Sequence, residues 1–159
     1  MESKESQYYK PVKTKVEEIL KETQRAYHLE ITAGRTFSNK LKRKISDYRH
    51  IVFYFLKDVA PDITGFIEED VLTKFIVVEI KNEPIKLDHI YQVRKYAELF
   101  EARYALLVST KEIPEEIKRL SKVVHSLLLL PAYETLTLVK FNEETREFDE
   151  WFPKNPFKG

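Results

Sequence analysis

The sequence predicts an α/β domain, and three stretches predict it. Residues 61–81, PDITGFIEEDVLTKFIVVEIK, hold two apolar, β-branched runs on either side of Glu68-Glu69-Asp70, the pattern of two adjacent strands joined by a turn. Residues 86–102 repeat Ile90, Val93, Ala97 and Phe100 at helical spacing and lead into YALLVST (104–110). Strand, helix and strand in that order imply a right-handed crossover between parallel neighbours. Residues 11–27 place Val12, Val16, Ile19, Leu20, Thr23 and Tyr27 on one stripe, which predicts a helix with a single core-facing side.

The remaining elements follow in order. Residues 28–48 carry only Gly34 and Asn39 as turn signals and read as a loop with room for a short helix. HIVFYFLKDV (50–59) is rich in β-branched and aromatic residues and reads as the first strand. PDITGFI (61–67) is the second, with Pro61 at a strand's first position, where a missing ladder donor costs least. KFIVVEIK (74–81) is apolar almost throughout, as expected of a strand covered on both faces. Pro114 suits the first turn of a third helix, whose stripe runs Ile117, Leu120, Val124 and Leu127. ETLTLVKF (134–141) and REFDEWF (146–152) read as a terminal hairpin around residues 142–145, and the tail KNPFKG is expected to fray.

Composition fits one domain of 159 residues, 43% hydrophobic and 33% charged, with a core of ordinary size. Cysteine is absent, which excludes disulfides, thiolate zinc sites and cysteine-bound iron–sulfur clusters. No run reaches the roughly 20 apolar residues that span a bilayer, and MESKESQYYK contains no apolar signal core, so a cytoplasmic location is expected. Abundant Lys and Glu with little Asn, Gln and Met lean toward a heat-adapted source.

The chemistry concentrates on the two strands at 61–81. Alternation sends Glu79 and Lys81 to one face and Ile80 to the core. A hairpin turning between Asp70 and Val71 sets Asp62 opposite Glu79. Two carboxylates and an ammonium then share one patch of sheet, an arrangement that like-charge repulsion disfavours unless a cation joins it. A hard divalent ion such as Mg²⁺ suits those oxygens, and Lys81 stands where it can place a water or neutralise charge on a phosphate.

Pro61, Asp62, Glu79 and Lys81, supported by Gln92 and Tyr96, make the chain resemble the PD-(D/E)XK nuclease superfamily, in particular its RecB-like and Holliday-junction-resolvase-like branches. The likeness spans residues 14–109. It implies a restriction-endonuclease-like core of helix, three strands, helix and strand, here extended by a further helix and the terminal hairpin. It also implies Mg²⁺- or Mn²⁺-dependent hydrolysis of DNA phosphodiesters, with Asp62, Glu79 and the Ile80 carbonyl as metal ligands and Lys81 at the nucleophile. Gln92 and Tyr96, neighbours on one helix face, match a Gln-x-x-x-Tyr element whose implied role is to position a phosphate or the attacking water. Many members add a first-helix glutamate. Glu17, about 110° from the centre of the apolar stripe, is the better candidate than Glu18 at about 150°. A homodimer or a partner subunit is consistent with resolvase-like and RecB-like members, and the terminal hairpin is the natural contact.

Although the net charge is only +1, Arg35, Lys40, Lys42, Arg43, Lys44 and Arg49 stand against the single acid Asp47 within residues 35–49. Phosphate contact through counterion release is one reading; a solvated basic loop is the other. The four histidines lack metal-peptidase spacing, no Gly-x-Ser-x-Gly elbow surrounds Ser109, and three glycines leave no phosphate-binding loop. Without a base-reading element, structure-selective or nonspecific cleavage is expected. Two other classes stay open: a catalytically silent module of the same fold that binds nucleic acid or a partner protein, and an unrelated α/β domain in which Glu79 and Lys81 form a surface ion pair.

Overall fold

A computed structural model describes residues 4–131 and 133–158. Six strands form one mixed sheet in sequential order: β1 (Tyr27–Ile31), β2 (Ile63–Glu69), β3 (Leu72–Lys81), β4 (Tyr104–Ser109), β5 (Thr137–Phe141) and β6 (Phe148–Phe152). The first three run antiparallel, β3, β4 and β5 run parallel, and β6 returns antiparallel. Parallel strands need a crossover. Helices α3 (Leu87–Phe100) and α4 (Glu115–Val123) lie in the two connections.

Helices cover both faces. On one, α1 (Tyr9–Glu22) seats Val12, Val16 and Leu20 against Ile63, Ile67, Ile76, Val78 and Ile80. On the other, α3 seats Ile90, Val93, Tyr96, Ala97 and Phe100 against Phe66, Phe75, Val77 and Leu107. Burial on both sides explains the continuous apolar run in β3, where Phe75–Ile80 is buried throughout. Among the described residues no helix is long and apolar enough to cross a membrane.

The order helix, three strands, helix, strand is present, but its first strand is not the predicted one. HIVFYFLKDV forms most of a 3₁₀ helix, Asp47–Leu56. Exposure in it does not alternate: Val52 and Leu56 are buried while Tyr48, Ile51, Tyr54 and Phe55 are exposed. A three-residue turn sorts side chains into three ridges, so strand-like composition here carries no strand periodicity. The first strand is YHLEI, in the region read as helix end and loop. Helix α1 stops at Glu22 instead of continuing to Tyr27, because Gln24 takes a left-handed conformation (φ 61°) that turns the chain back along the sheet. No glycine marks that stop. The short α2 (Asn39–Lys42), capped by Ser38, lies in the expected loop.

Helix α4 starts as expected, with Pro114 at its N-cap, and ends one residue before Val124. The hairpin of β5 and β6 is present. The tail does not fray: Phe157 is buried, with its ring stacked 5.0 Å from that of Tyr104. Gly159 lies outside the described residues.

Gly65 in β2 faces Leu29 of β1 across the ladder. A Cβ there would sit 2.0 Å from the His28 carbonyl oxygen and 2.9 Å from the Leu29 Cα, both main-chain atoms. No rotamer relieves such a clash. Gly65→Ala is therefore expected to cost about 3 kcal/mol, the upper range of overpacking, read as a lowered denaturant midpoint.

Candidate metal centre

The register of the β2–β3 hairpin places the two acids. Ile63 pairs with Val78, so one rung further out Asp62 stands beside Glu79, on the face that Phe66 and Val77 turn toward α3. Backbone donors then fix each carboxylate. The Ile80 N–H donates to Asp62 Oδ2 at 2.8 Å, and the Asp62 N–H donates to Glu79 Oε1 at 3.2 Å. Thr32, fully buried just after β1, anchors the start of β2. Its N–H donates to the Asp62 carbonyl at 2.8 Å and its hydroxyl to the Pro61 carbonyl at 2.6 Å.

Those backbone bonds leave Asp62 Oδ1 and Glu79 Oε2. Lys81 Nζ lies 3.7 Å from Glu79 Oε2. Asp62 is 8% exposed and Glu79 5%. Burial is the main cause that lifts both acids above the ordinary carboxylate range. The Asp62 charge lifts Glu79 further, to about 9. Each carboxyl also hydrogen-bonds the other. Two adjacent buried anions repel, so the pair favours keeping a proton.

Two adjacent buried carboxylates mark a place that a cation can take. The donors are hard oxygens, as Mg²⁺ or Mn²⁺ requires. A third oxygen is available on the main chain. Ile80 turns its N–H toward Asp62, and in a strand the carbonyl of a residue points to the same edge as its N–H. The residue opposite Ile80 in the register is Pro61, which has no N–H to give that carbonyl. Among the described residues no group of three or more His, Cys, Asp or Glu side chains is placed to hold a metal. The donor set is thus two carboxylates and a carbonyl, and Mg²⁺ commonly completes such a set with water and substrate phosphate.

Helix α3 brings Gln92 and Tyr96 to this patch. Gln92 Nε2 donates to Tyr96 Oη at 3.1 Å. Tyr96 is fully buried, and burial, then the nearby charges of Glu79 and Asp62, hold its phenol well above the usual tyrosine range. Glu17 does not join the group. It forms an ion pair with Lys13 at 3.2 Å and lies eight residues, about 12 Å of helix rise, beyond the residue of α1 that does reach Asp62. That residue is Tyr9, whose hydroxyl hydrogen-bonds Asp62 and is kept protonated by burial and by the carboxylates.

Two further neighbours, Thr32 and Glu5, went unread in the sequence; a third, His89, is placed by the sequence near the start of the helix over 86–102, within approach of the site. Thr32 was hidden inside the loop reading. Glu5, in the 3₁₀ helix Lys4–Tyr8 that precedes α1, is close enough for its charge to act on Tyr9 and His89. His89 accepts the Lys86 N–H through Nδ1 at 3.0 Å, and burial, then Lys81, lower its proton affinity. A period-two pattern in YHLEIT was the one available signal for Thr32; Tyr9 and Glu5 carried none.

The six basic residues part ways. Lys44 pairs with Glu68 at 2.8 Å, and Arg49 bonds the Leu99 carbonyl at 2.8 Å and Glu101 at 3.3 Å. Lys42 Nζ lies 5.4 Å from the centre of the Phe53 ring. Arg35, Lys40 and Arg43 are exposed. Comparison with known proteins adds nothing to this geometry: no family model matches the chain, and no significant match is found among curated proteins or solved structures.

Proposed function

We propose that the protein is a metal-dependent nuclease that hydrolyses DNA phosphodiester bonds, with Asp62, Glu79 and the Ile80 carbonyl holding Mg²⁺ or Mn²⁺. The observation that carries the reading is the buried Asp62–Glu79 pair with Lys81 beside it. A structural ion pair has no need of two adjacent buried acids. When bound, the metal would supply an activated water and neutralise charge on the phosphate. Lys81 places a positive charge next to the same oxygens, where the negative charge of the transition state develops. Gln92 and Tyr96 close the α3 side and orient whatever binds between helix and sheet. Arg35, Lys40 and Arg43 are the cations left to meet the backbone of duplex, branched or single-stranded DNA.

The test is cleavage of plasmid, single-stranded and branched DNA with Mg²⁺ or Mn²⁺ by the wild type, Asp62→Ala and Lys81→Ala. Lys81→Ala is expected to lower the rate about 10²–10³-fold, the scale for loss of one electrostatic stabiliser. Full activity in either variant would place the chemistry elsewhere. A second reading, a nuclease-fold module that binds nucleic acid or a partner without cleaving, draws on the near-complete cover over both acids and the Tyr9 hydroxyl on Asp62. Binding without cleavage by the wild type would favour it.

A further inference from the structure

The 3₁₀ helix Asp47–Leu56 leaves a surface that the metal centre does not use. With three residues per turn, Tyr48, Ile51, Tyr54 and Lys57 fall on one ridge. The first three are 84%, 63% and 61% exposed. Rungs of that ridge are about 6 Å apart, room for a flat ring between neighbours. Large apolar side chains exposed in a row form a surface that a partner can cover.

The charge around the ridge selects the occupant. Residues 35–57 carry seven cations and one acid, in a chain whose net charge is only +1. Of these cations, Arg35, Lys40, Arg43 and Lys57 are exposed. Lys57 Nζ already lies 4.9 Å from the centre of the Tyr54 ring. Exposed aromatic rings interleaved with cations fit stacked bases and the phosphates between them. A paired duplex presents its base faces to nothing, so only an unpaired strand can use the rings. The ridge ends close in sequence to the candidate site. Its last residue, Lys57, is five residues from Asp62, and the Arg35 guanidinium donates to the intervening Asp58 carbonyl at 3.4 Å.

We propose that this ridge is a stacking platform for unpaired, single-stranded nucleic acid that leads the strand toward Asp62 and Glu79. The inference rests on the nuclease reading for its choice of ligand, and its test is kept separate from cleavage. Anisotropy of a labelled oligo-dT and of a blunt duplex is measured with the full chain in EDTA. Wild-type protein binds the single strand more tightly than the duplex. Tyr48→Ser and Tyr54→Ser each weaken single-strand binding about fivefold or more, the effect of losing one stacked base, and leave the duplex within about twofold. Lys40→Glu with Arg43→Glu weakens both ligands and flattens the salt dependence. Unchanged melting temperatures show that the serine variants fold.

Equal losses on the two ligands, or no wild-type binding to the single strand, would overturn the proposal. So would self-association in sedimentation velocity that Tyr54→Ser abolishes, because the ridge would then belong to a second copy of the chain. Ridge-dependent single-strand binding without Mg²⁺-dependent cleavage keeps the platform and rejects the nuclease. Cleavage untouched by Tyr54→Ser, with equal binding losses, does the reverse.

Discussion

Glu79→Gln is expected to abolish Mg²⁺-dependent cleavage and, at pH 8, to make the metal-free protein more stable. The two effects have opposite signs because one feature causes both. Glutamine keeps the shape of the side chain, and its carbonyl oxygen still accepts the Asp62 N–H now bound at 3.2 Å. Its amide then donates to Asp62 permanently, where the wild type needs a proton. That spares the folded chain from taking up a proton or holding two buried anions, a gain of about a few kcal/mol at pH 8, bounded by about 1.4 kcal/mol for each pH unit above the unfolded value. A chain of this size converts it to about 2–4 °C of melting temperature per kcal/mol. Activity moves the other way. Loss of one charged metal ligand removes several kcal/mol of charge stabilisation, about 10³-fold or more in rate. Asp62→Asn should behave alike, its oxygen accepting from Ile80 and its amide donating to Glu79. Because either single change relieves the same repulsion, the double variant should gain little beyond one of them. Stabilisation without loss of any nuclease activity would leave Asp62 and Glu79 as a buried pair of no catalytic consequence.

The pairing of Asp62 with Glu79 was legible in the sequence; its surroundings were less so. Apolar continuity in KFIVVEIK and a turn between Asp70 and Val71 determine the hairpin register, and the register alone brings Asp62 to Glu79. Helices α1 and α3 follow from stripes whose inner members, such as Val12, Val16, Ile90 and Val93, are fully buried. The first strand was hidden because Gln24 makes a left-handed stop without glycine and because His28 and Glu30 give β1 a polar side. HIVFYFLKDV misled through composition: its buried members, Val52 and Leu56, stand four residues apart on a helical turn and not at strand alternation. The tail misled in the opposite sense, since Phe157 finds a stacking partner far away in sequence. Tyr9 and Glu5 reach the site only because the chain before α1 folds over the end of the sheet, and no local pattern encodes that.

Metal and proton should compete for the same oxygens, and this yields the largest effect of solution conditions. Chelation is expected to end cleavage completely, with recovery on adding Mn²⁺ or Mg²⁺. In the metal-free protein the proton that the pair keeps makes stability depend on pH with a definite sign. Burial and the Asp62 charge raise Glu79 in the folded chain to about 9, whereas the unfolded chain titrates near 4.3. A raised folded value means that the stabilising contribution is whole below the unfolded value and is lost as pH rises through the folded one. Stability of the metal-free protein should therefore fall between about pH 4.5 and 9, by up to about 1.4 kcal/mol per pH unit for the one proton held only in the folded state. A divalent ion bound there would replace that proton. Its apparent affinity should tighten up to about tenfold per pH unit over the same window, and saturating Mn²⁺ should raise the melting temperature more at pH 8.5 than at pH 6. In Glu79→Gln the slope should largely vanish with or without metal. Calorimetric scans of both proteins across that range, with EDTA and with Mn²⁺, check the linkage. A melting temperature raised by Mn²⁺ equally at both pH values would mean that the ion binds away from the proton, and Asp62 and Glu79 would no longer be its ligands.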